Sequence, residues 1–431
     1  MSHSELKWLL VDLNSYFASC EQQFNPALRG RPVGVVPMMA ENTSCLAASV
    51  EAKRFGVKTG TLVKDARKLC PEIIFVEADH SRYVGIHEAI VEVVESCVPV
   101  HEVLSIDEMI CKLTGSQCKE ENAVALALKI KKNIEERVGI CLKSSIGISV
   151  NKYLAKVGSD MQKPDGLTII HKSDLPHKLF PLKLRDLPGI GYRMNERLQT
   201  RGVFSVENLC KASRAEMKSL WGGIWGERMY EWLRGGEPFV PSSKQKSMSH
   251  EHVLAPDFRT IDLAYAVLQK LLVKVAVRLR REKFYTRRLG VNVKFIGSNP
   301  NQKNDNRNMG NYGSSTGWGV STSEYFDCSY KLEETQDTLT LLHAFQKIWK
   351  DIPLNKGKPL KVGITLSDFI PEAEHQFSLF GNPQKEILGG VLDSINERFG
   401  KNSVNFAGVQ GLENTANTKI SFSRVPKKDE F

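Results

Sequence analysis

Trp8-Leu9-Leu10-Val11-Asp12-Leu13-Asn14-Ser15-Tyr16-Phe17-Ala18-Ser19-Cys20-Glu21 is the stretch on which the reading of this chain turns. Four apolar residues run without a break and stop at an acid, the pattern of a buried strand that delivers a carboxylate at its end. Val103-Leu104-Ser105-Ile106 is a second such run and stops at Asp107-Glu108; Ser145-Ile146-Gly147-Ile148-Ser149 is a third. Between the second and third, Ala123, Ala127, Ile130, Ile134 and Val138 recur at helical spacing, and Gly139 can end that helix. Strands alternating with helices around acidic strand ends predict an α/β or α+β core. Asp12, Asp107 and Glu108 would be costly to gather unless a cation neutralised them. Mg²⁺ suits such a cluster, because it takes a few carboxylates together with substrate phosphates.

Working outward, 431 residues suggest about three domains. The mix of 41 % hydrophobic and 25 % charged residues excludes a mostly disordered, collagen-like or disulfide-scaffold chain. Lys and Arg exceed Asp and Glu by 59 to 49, a basic excess that fits a polyanionic partner. The nine cysteines include no CxxC pair, so a reduced chain is expected, without a zinc ribbon. No apolar run is long enough for a signal peptide or a membrane span.

Residues 174–237 read as short helices with Gly-rich corners, and 238–246 as a polar linker. Ile261, Tyr265, Leu268, Leu272, Val275 and Leu279 form one helical stripe, with Lys270, Lys274, Arg278 and Arg281 on what reads as a solvated face. Leu289, Val291, Val293 and Phe295 alternate as a half-buried strand, and residues 361–367 read as a last strand. Residues 297–319, rich in Asn, Gly and Ser, read as a mobile loop. Twelve Lys/Arg against four Asp/Glu fall within 241–300, which concentrates the positive charge there.

The stretch from Asp12 to Glu21 resembles the first signature of the Y-family DNA polymerases, D-x-[DN]-x-F-[FY]-A-x-x-E, and Ser105-Ile106-Asp107-Glu108 resembles the second. Gly147 through Lys156, then Lys163-Pro164-Asp165-Gly166, is similar to the third, and Ala48 through Val57 to the intervening finger segment. Their order and spacing agree over about residues 6–370. Asn14, Lys53 and the tail resemble the UmuC branch, the catalytic subunit type of bacterial DNA polymerase V. Val50, where many relatives carry Tyr, and Lys112, where many carry an acid, depart from the pattern.

The resemblance implies an α+β, multidomain right-hand polymerase. Palm would be 1–22 and 80–170, fingers 23–79, and a helix-hairpin-helix thumb 171–237. A little finger would span 247–366 after the linker, with a tail at 367–431. It implies low-fidelity, template-directed translesion synthesis on primer-template DNA from deoxynucleoside triphosphates. Two Mg²⁺ ions would be held by Asp12, Asp107, Glu108 and the Leu13 carbonyl, about 3.5–4 Å apart. Tyr16, Lys53 and Lys163 would contact the nucleotide, and Phe17 would collide with a ribose 2′-hydroxyl. From composition alone, Phe17 reads as a core aromatic. Ser44, Leu46 and Gly60 would roof the nascent base pair.

Leu187-Pro188-Gly189-Ile190-Gly191 looks like the hairpin whose glycines bring backbone N–H groups to phosphates, with Arg193 and Arg197 following. Arg288 and Lys294 on the little-finger sheet would contact DNA. Gln376-Phe377-Ser378-Leu379-Phe380 resembles the peptide that docks bacterial polymerases on the β sliding clamp, through Gln376, Leu379 and Phe380. A UmuD-type accessory subunit, a recombinase filament and a cytoplasmic, nucleoid-associated location are implied likewise. The alternative is a catalytically inactive DNA- and clamp-binding adaptor of the same fold, but adaptors of that kind lose the acids that are present here.

Overall fold

The computed structural model describes residues 6–241, 245–296, 325–353, 357–376, 383–401, 403–412, 415–416, 420 and 425–426. The expected loop at 297–319 and residues Phe377–Phe380 of the docking peptide lie outside them. Two compact units divide the chain, Met1–Val240 with Thr418–Phe431, and Pro241–Asn417. The division falls inside the stretch read as a linker.

In the first unit the elements are β1 (Trp8–Leu13), α1 (Tyr16–Phe24), β2 (Val33–Val36), β3 (Ala47–Ala48), α2 (Val50–Arg54), α3 (Val63–Leu69) and β4 (Ile74–Glu77). There follow α4 (His80–Glu95), β5 (Val100–Val103), β6 (Glu108–Lys112), α5 (Glu120–Arg137), β7 (Ser144–Ser149), α6 (Lys152–Met161) and β8 (Leu167–Ile170). A five-stranded sheet runs β5-β6-β1-β7-β8, with β1 central and antiparallel to both neighbours. The continuous apolar run of β1 is buried on both faces, as the sequence requires. Leu9, Val11 and Leu13 join the core built with α4 and α5, while Trp8 and Leu10 pack with Ile110 and Ala155 of α6. A separate sheet, β3-β2-β4, forms a small subdomain with α2 and α3.

One sequence reading is corrected here. Val103–Ile106 is not a strand ending at the acids: β5 stops at Val103, and residues 104–107 turn. The N–H groups of Leu104 and Ser105 both donate to the Glu108 carbonyl, closing a hairpin. Ile106 turns into the core, so its apolar side chain satisfies burial without a strand. Asp107 therefore sits in the turn and Glu108 opens β6.

Helices α7 (Tyr192–Gln199), α8 (Val206–Lys211), α9 (Arg214–Trp221) and α10 (Ile224–Trp232) complete this unit around their own core. Leu187 and Ile190 are buried in that core and pin the hairpin between them. Trp225 is exposed, with the Arg228 guanidinium 5.1 Å from its ring centre.

The second unit contains β9 (Ser247–Val253), α11 (Ile261–Arg281), β10 (Phe284–Ile296), β11 (Tyr325–Thr335), α12 (Thr338–Lys350), β12 (Lys358–Pro371) and α13 (Pro383–Phe399). Its antiparallel sheet runs β11-β10-β12-β9. Leu289, Val291, Val293 and Phe295 are buried on one face against α11 and α12, so Arg288, Asn292 and Lys294 share the other. β12 outruns the expected boundary at 366, because Phe369, Ile370 and Pro371 go on pairing with β10.

The face of α11 read as solvated is so at Arg281, which is exposed, but not at Lys270 and Lys274. Lys270 is buried and donates to the carbonyls of Leu412 and, at 2.7 Å, Thr415; Lys274 donates to Ala416 at 2.7 Å. Arg280 binds both carboxylate oxygens of Asp393 in α13, at 2.6 and 2.9 Å. What reads as a tail is therefore tied onto the domain by charge-assisted hydrogen bonds. Among the described residues, no helix is long and apolar enough to cross a membrane.

Candidate active site

β1 and β6 pair in a register that sets Asp12 opposite Glu108, on the sheet face covered by α6. The Asp12 side chain is 4 % exposed. Lys156 of α6 reaches both acids, 2.6 Å from Asp12 Oδ2 and 3.1 Å from Glu108 Oε1, and also lies 3.0 Å from Asp160 Oδ1. Lys163 lies 2.8 Å from the same Asp12 oxygen and 2.8 Å from Asp160. Asp107 accepts from Ser105 Oγ at 2.6 Å, and its carbonyl accepts the Leu13 N–H at 2.9 Å.

The electrostatics express this crowding. Loss of hydration pushes the Glu108 carboxyl above the ordinary range; Lys156 opposes that, while Asp12 and Asp107 add to it. Burial works against the Lys156 ammonium, yet the negative charges of Asp12, Glu108 and Asp160 outweigh it and raise its pKa. Lys53 is lowered, first by lost hydration and then by repulsion from Lys163, with Asp12 and Asp107 pulling the other way. Lys53 thus belongs to the same field although it comes from α2.

Among the described residues, no three His, Cys, Asp or Glu side chains group closely enough to hold an ion by themselves. The donor set nevertheless fits a hard cation. Its groups are oxygens, and two of the three expected carboxylates already converge on one positive charge, the Lys156 ammonium.

Phe17 is half-buried at the rim of the core and stacks on Tyr83, with ring centres 4.5 Å apart and planes 16° from parallel. Tyr83 Oη donates to the buried Glu21 carboxylate at 2.7 Å. The Tyr16 side chain is 3 % exposed, and its hydroxyl donates to the Tyr83 carbonyl at 2.6 Å. What Tyr16 and Phe17 do offer is backbone, since first-turn N–H groups of a helix such as α1 lack intrahelical acceptors.

Ser44, Leu46 and Gly60 come together where residues 43–46 run beside 59–62. Ser44 bridges Leu62, Leu46 N–H donates to Val35, and Gly60 N–H donates to the carbonyl of Cys45. Gly60 has φ +88°, which a side chain disfavours. Gly189, Gly191 and Arg193 are all exposed on the hairpin, whereas Arg197 is turned to the Trp221 carbonyl at 3.4 Å. Arg288 is paired with Asp368 at 2.9 Å, and Lys294 lies on the same sheet face. Gln376 is exposed; Leu379 and Phe380 lie outside the described residues.

Sequence reasoning left Lys156 and Asp160 without a role. Their spacing of four on α6, followed by Lys163, was the available signal.

Residues 11–160 match the impB/mucB/samB family model and 245–379 the model of its C-terminal domain; 185–236 match a DNA polymerase-iota thumb domain. DNA polymerase IV of Moorella thermoacetica is 31 % identical over 419 residues, covering 94 % of this chain and 97 % of that one. DNA polymerase IV 1 of Bacillus subtilis (strain 168) is 28 % identical over 433 residues, covering 97 % of each. In fold, the chain is similar to the Y-family DNA polymerase chimera Dbh-Dpo4(243-245)-Dbh, with TM-score 0.66 and 21 % identity over 85 % of this chain and 99 % of that one. An insertion ternary complex of Dbh DNA polymerase gives TM-score 0.55 at the same identity and coverage.

The chain belongs to the impB/mucB/samB family, the Y-family DNA polymerases. It is a DNA-directed DNA polymerase with the multidomain α+β fold of that family, including a thumb and a C-terminal little finger.

Proposed function

We propose that this polymerase carries out translesion synthesis on primer-template DNA, joining the primer 3′-hydroxyl to the α-phosphate of a deoxynucleoside triphosphate and releasing pyrophosphate. The observation that carries the reading is the in-register pairing of Asp12 with Glu108, both bound to one ammonium. Asp12, Asp107, Glu108 and the Leu13 carbonyl would hold two Mg²⁺ ions. Bound there, the ions would neutralise charge on the phosphoryl oxygens and on the attacking oxygen.

The protein's own groups do the rest. Lys53 and Lys163 bring positive charge to the triphosphate, and the first-turn N–H groups of α1 offer it hydrogen bonds. Phe17, backed by Tyr83, excludes the ribose 2′-hydroxyl by shape. Ser44, Leu46 and Gly60 leave room above the base pair for a damaged template base. Gly189, Gly191, Arg193, Arg288 and Lys294 hold phosphates without reading sequence.

Asp107→Ala and Glu108→Ala should each lower primer extension by several orders of magnitude while DNA binding persists. Extension at near wild-type rate by Asp107→Ala would sink the assignment.

Within the family we read the chain as UmuC-like on Asn14, Lys53 and the tail sequence; the relatives named above are DNA polymerase IV enzymes. Synthesis that depends on a UmuD-type subunit and a recombinase filament supports that finer reading, and full activity without them supports the other. Docking on a β sliding clamp through Gln376, Leu379 and Phe380, and a cytoplasmic site of action, belong to the same proposal.

A further inference from the structure

Asn14 stands in the first motif two residues beyond Asp12, and nothing above gives it a task. It is 5 % exposed. The Asp165 N–H donates to Asn14 Oδ1 at 2.7 Å, and Asn14 Nδ2 donates to Ser145 Oγ at 3.0 Å. Because a backbone N–H can only donate, the atom facing it must be the amide oxygen, which fixes the orientation of the Asn14 side chain. Ser145 Oγ in turn accepts the Gly166 N–H at 3.3 Å.

Behind the same turn, Lys131 of α5 donates to the carbonyls of Asp165 at 2.6 Å and Gly166 at 3.2 Å, and lies 2.8 Å from Asp165 Oδ1. The turn has no slack. Asp165 is held at φ +58°, and a Cβ on Gly166 would lie 1.8 Å from the Gln162 carbonyl. Lys163, two residues before Asp165, is the residue this turn presents to Asp12 and Asp160.

We infer that Asn14 is a positioning residue: with Ser145 on one side and Lys131 on the other, it fixes the 163–166 turn and so sets where the Lys163 ammonium meets the incoming triphosphate. The inference rests on the proposed nucleotide role of Lys163. The position calls for an acceptor facing the Asp165 N–H, and the Asn14 amide oxygen supplies it. An aspartate would preserve the acceptor; an alanine would not.

The test is single-nucleotide insertion kinetics, with thermal melting to establish that each variant folds. Equilibrium affinity for a non-hydrolysable deoxynucleoside triphosphate on a dideoxy-terminated primer-template is measured in parallel. Asn14→Ala should raise KM and weaken this affinity about tenfold, with a smaller change in kcat, because displacement of a positioned group is costly even from a distance. Asn14→Asp should restore both values to near wild type. Lys131→Met, which loosens the turn from behind, should shift KM in the same direction, and it carries the test if Asn14→Ala does not fold. In a Lys163→Ala background, Asn14→Ala should add almost nothing, the non-additivity expected of residues acting as one unit. Full additivity, or an Asn14→Ala that only lowers the melting temperature, overturns the positioning role. An unchanged KM in Lys163→Ala itself overturns the Lys163 reading on which it stands.

Discussion

Gly147→Ala is the sharpest perturbation of the palm. Gly147 lies in β7, beside Leu10 of β1 and directly beneath α6. A Cβ built there would sit 1.9 Å from the Ala155 carbonyl oxygen, 2.4 Å from Ser159 N and 2.9 Å from the Gly158 carbonyl carbon. All three atoms are backbone of α6, so no side chain can swing aside. Contacts under 3.0 Å essentially never occur, and relief requires α6 to withdraw by about 1 Å. α6 carries Lys156 and Asp160 and leads into Lys163, so the withdrawal pulls ammonium groups off Asp12. Overpacking of this kind costs about 1–3 kcal/mol, a fall of about 2–12 °C in melting temperature for a unit of this size. A displacement of about 1 Å can also cost up to about 10²-fold in rate. Differential scanning fluorimetry and single-turnover primer extension read the two effects. Gly158→Ala, whose nearest contacts are 3.3 Å, should lose much less. Gly85→Ala, with nothing within 4 Å, should melt no lower than wild type. Wild-type melting and extension in Gly147→Ala would refute the close-approach account.

Tyr83→Leu removes the ring on which Phe17 stacks, a contact worth about 0.5–1.5 kcal/mol, and should raise ribonucleotide relative to deoxynucleotide insertion several-fold, less than Phe17→Ala does. An unchanged ratio would show that Phe17 keeps its position unaided. Lys270→Met strands the carbonyls of Leu412 and Thr415, at about 1–3 kcal/mol, and should speed proteolysis beyond residue 400 while DNA affinity holds. Equal cleavage rates would contradict the anchoring role. Burial pushes His87 below the ordinary imidazole value of 6.5, where its Nδ1 lies 2.8 Å from the Ile106 carbonyl. The unfolded chain then takes up a proton that the folded one refuses, so this contribution to stability is complete above pH 6.5 and is lost as pH falls below it. Melting curves from about pH 5 to 8 should show that loss in wild type and a shallower one in His87→Gln; identical slopes would exclude His87 as the source.

The sequence exposed β1 and its terminal acid because a strand buried on both faces leaves an unbroken apolar run, and few other structures do. It misplaced Asp107 for a related reason. Leu104 and Ile106 are apolar, but in a turn one of them can face solvent and the other the core, and periodicity does not separate that from a strand end. The α11 lysines mislead differently. A lysine on a polar helix face reads the same whether its ammonium meets water or backbone carbonyls some 140 residues later, because only the fold brings those carbonyls near. Lys156 belongs to the same class: its spacing to Asp160 is local and readable, but its contact with Asp12 exists only once α6 lies across β1. Gly147 connects the two levels. Its missing side chain lets α6 approach closely enough for Lys156 and Lys163 to share one oxygen of Asp12, so a residue with no functional group of its own sets the charge balance among the carboxylates.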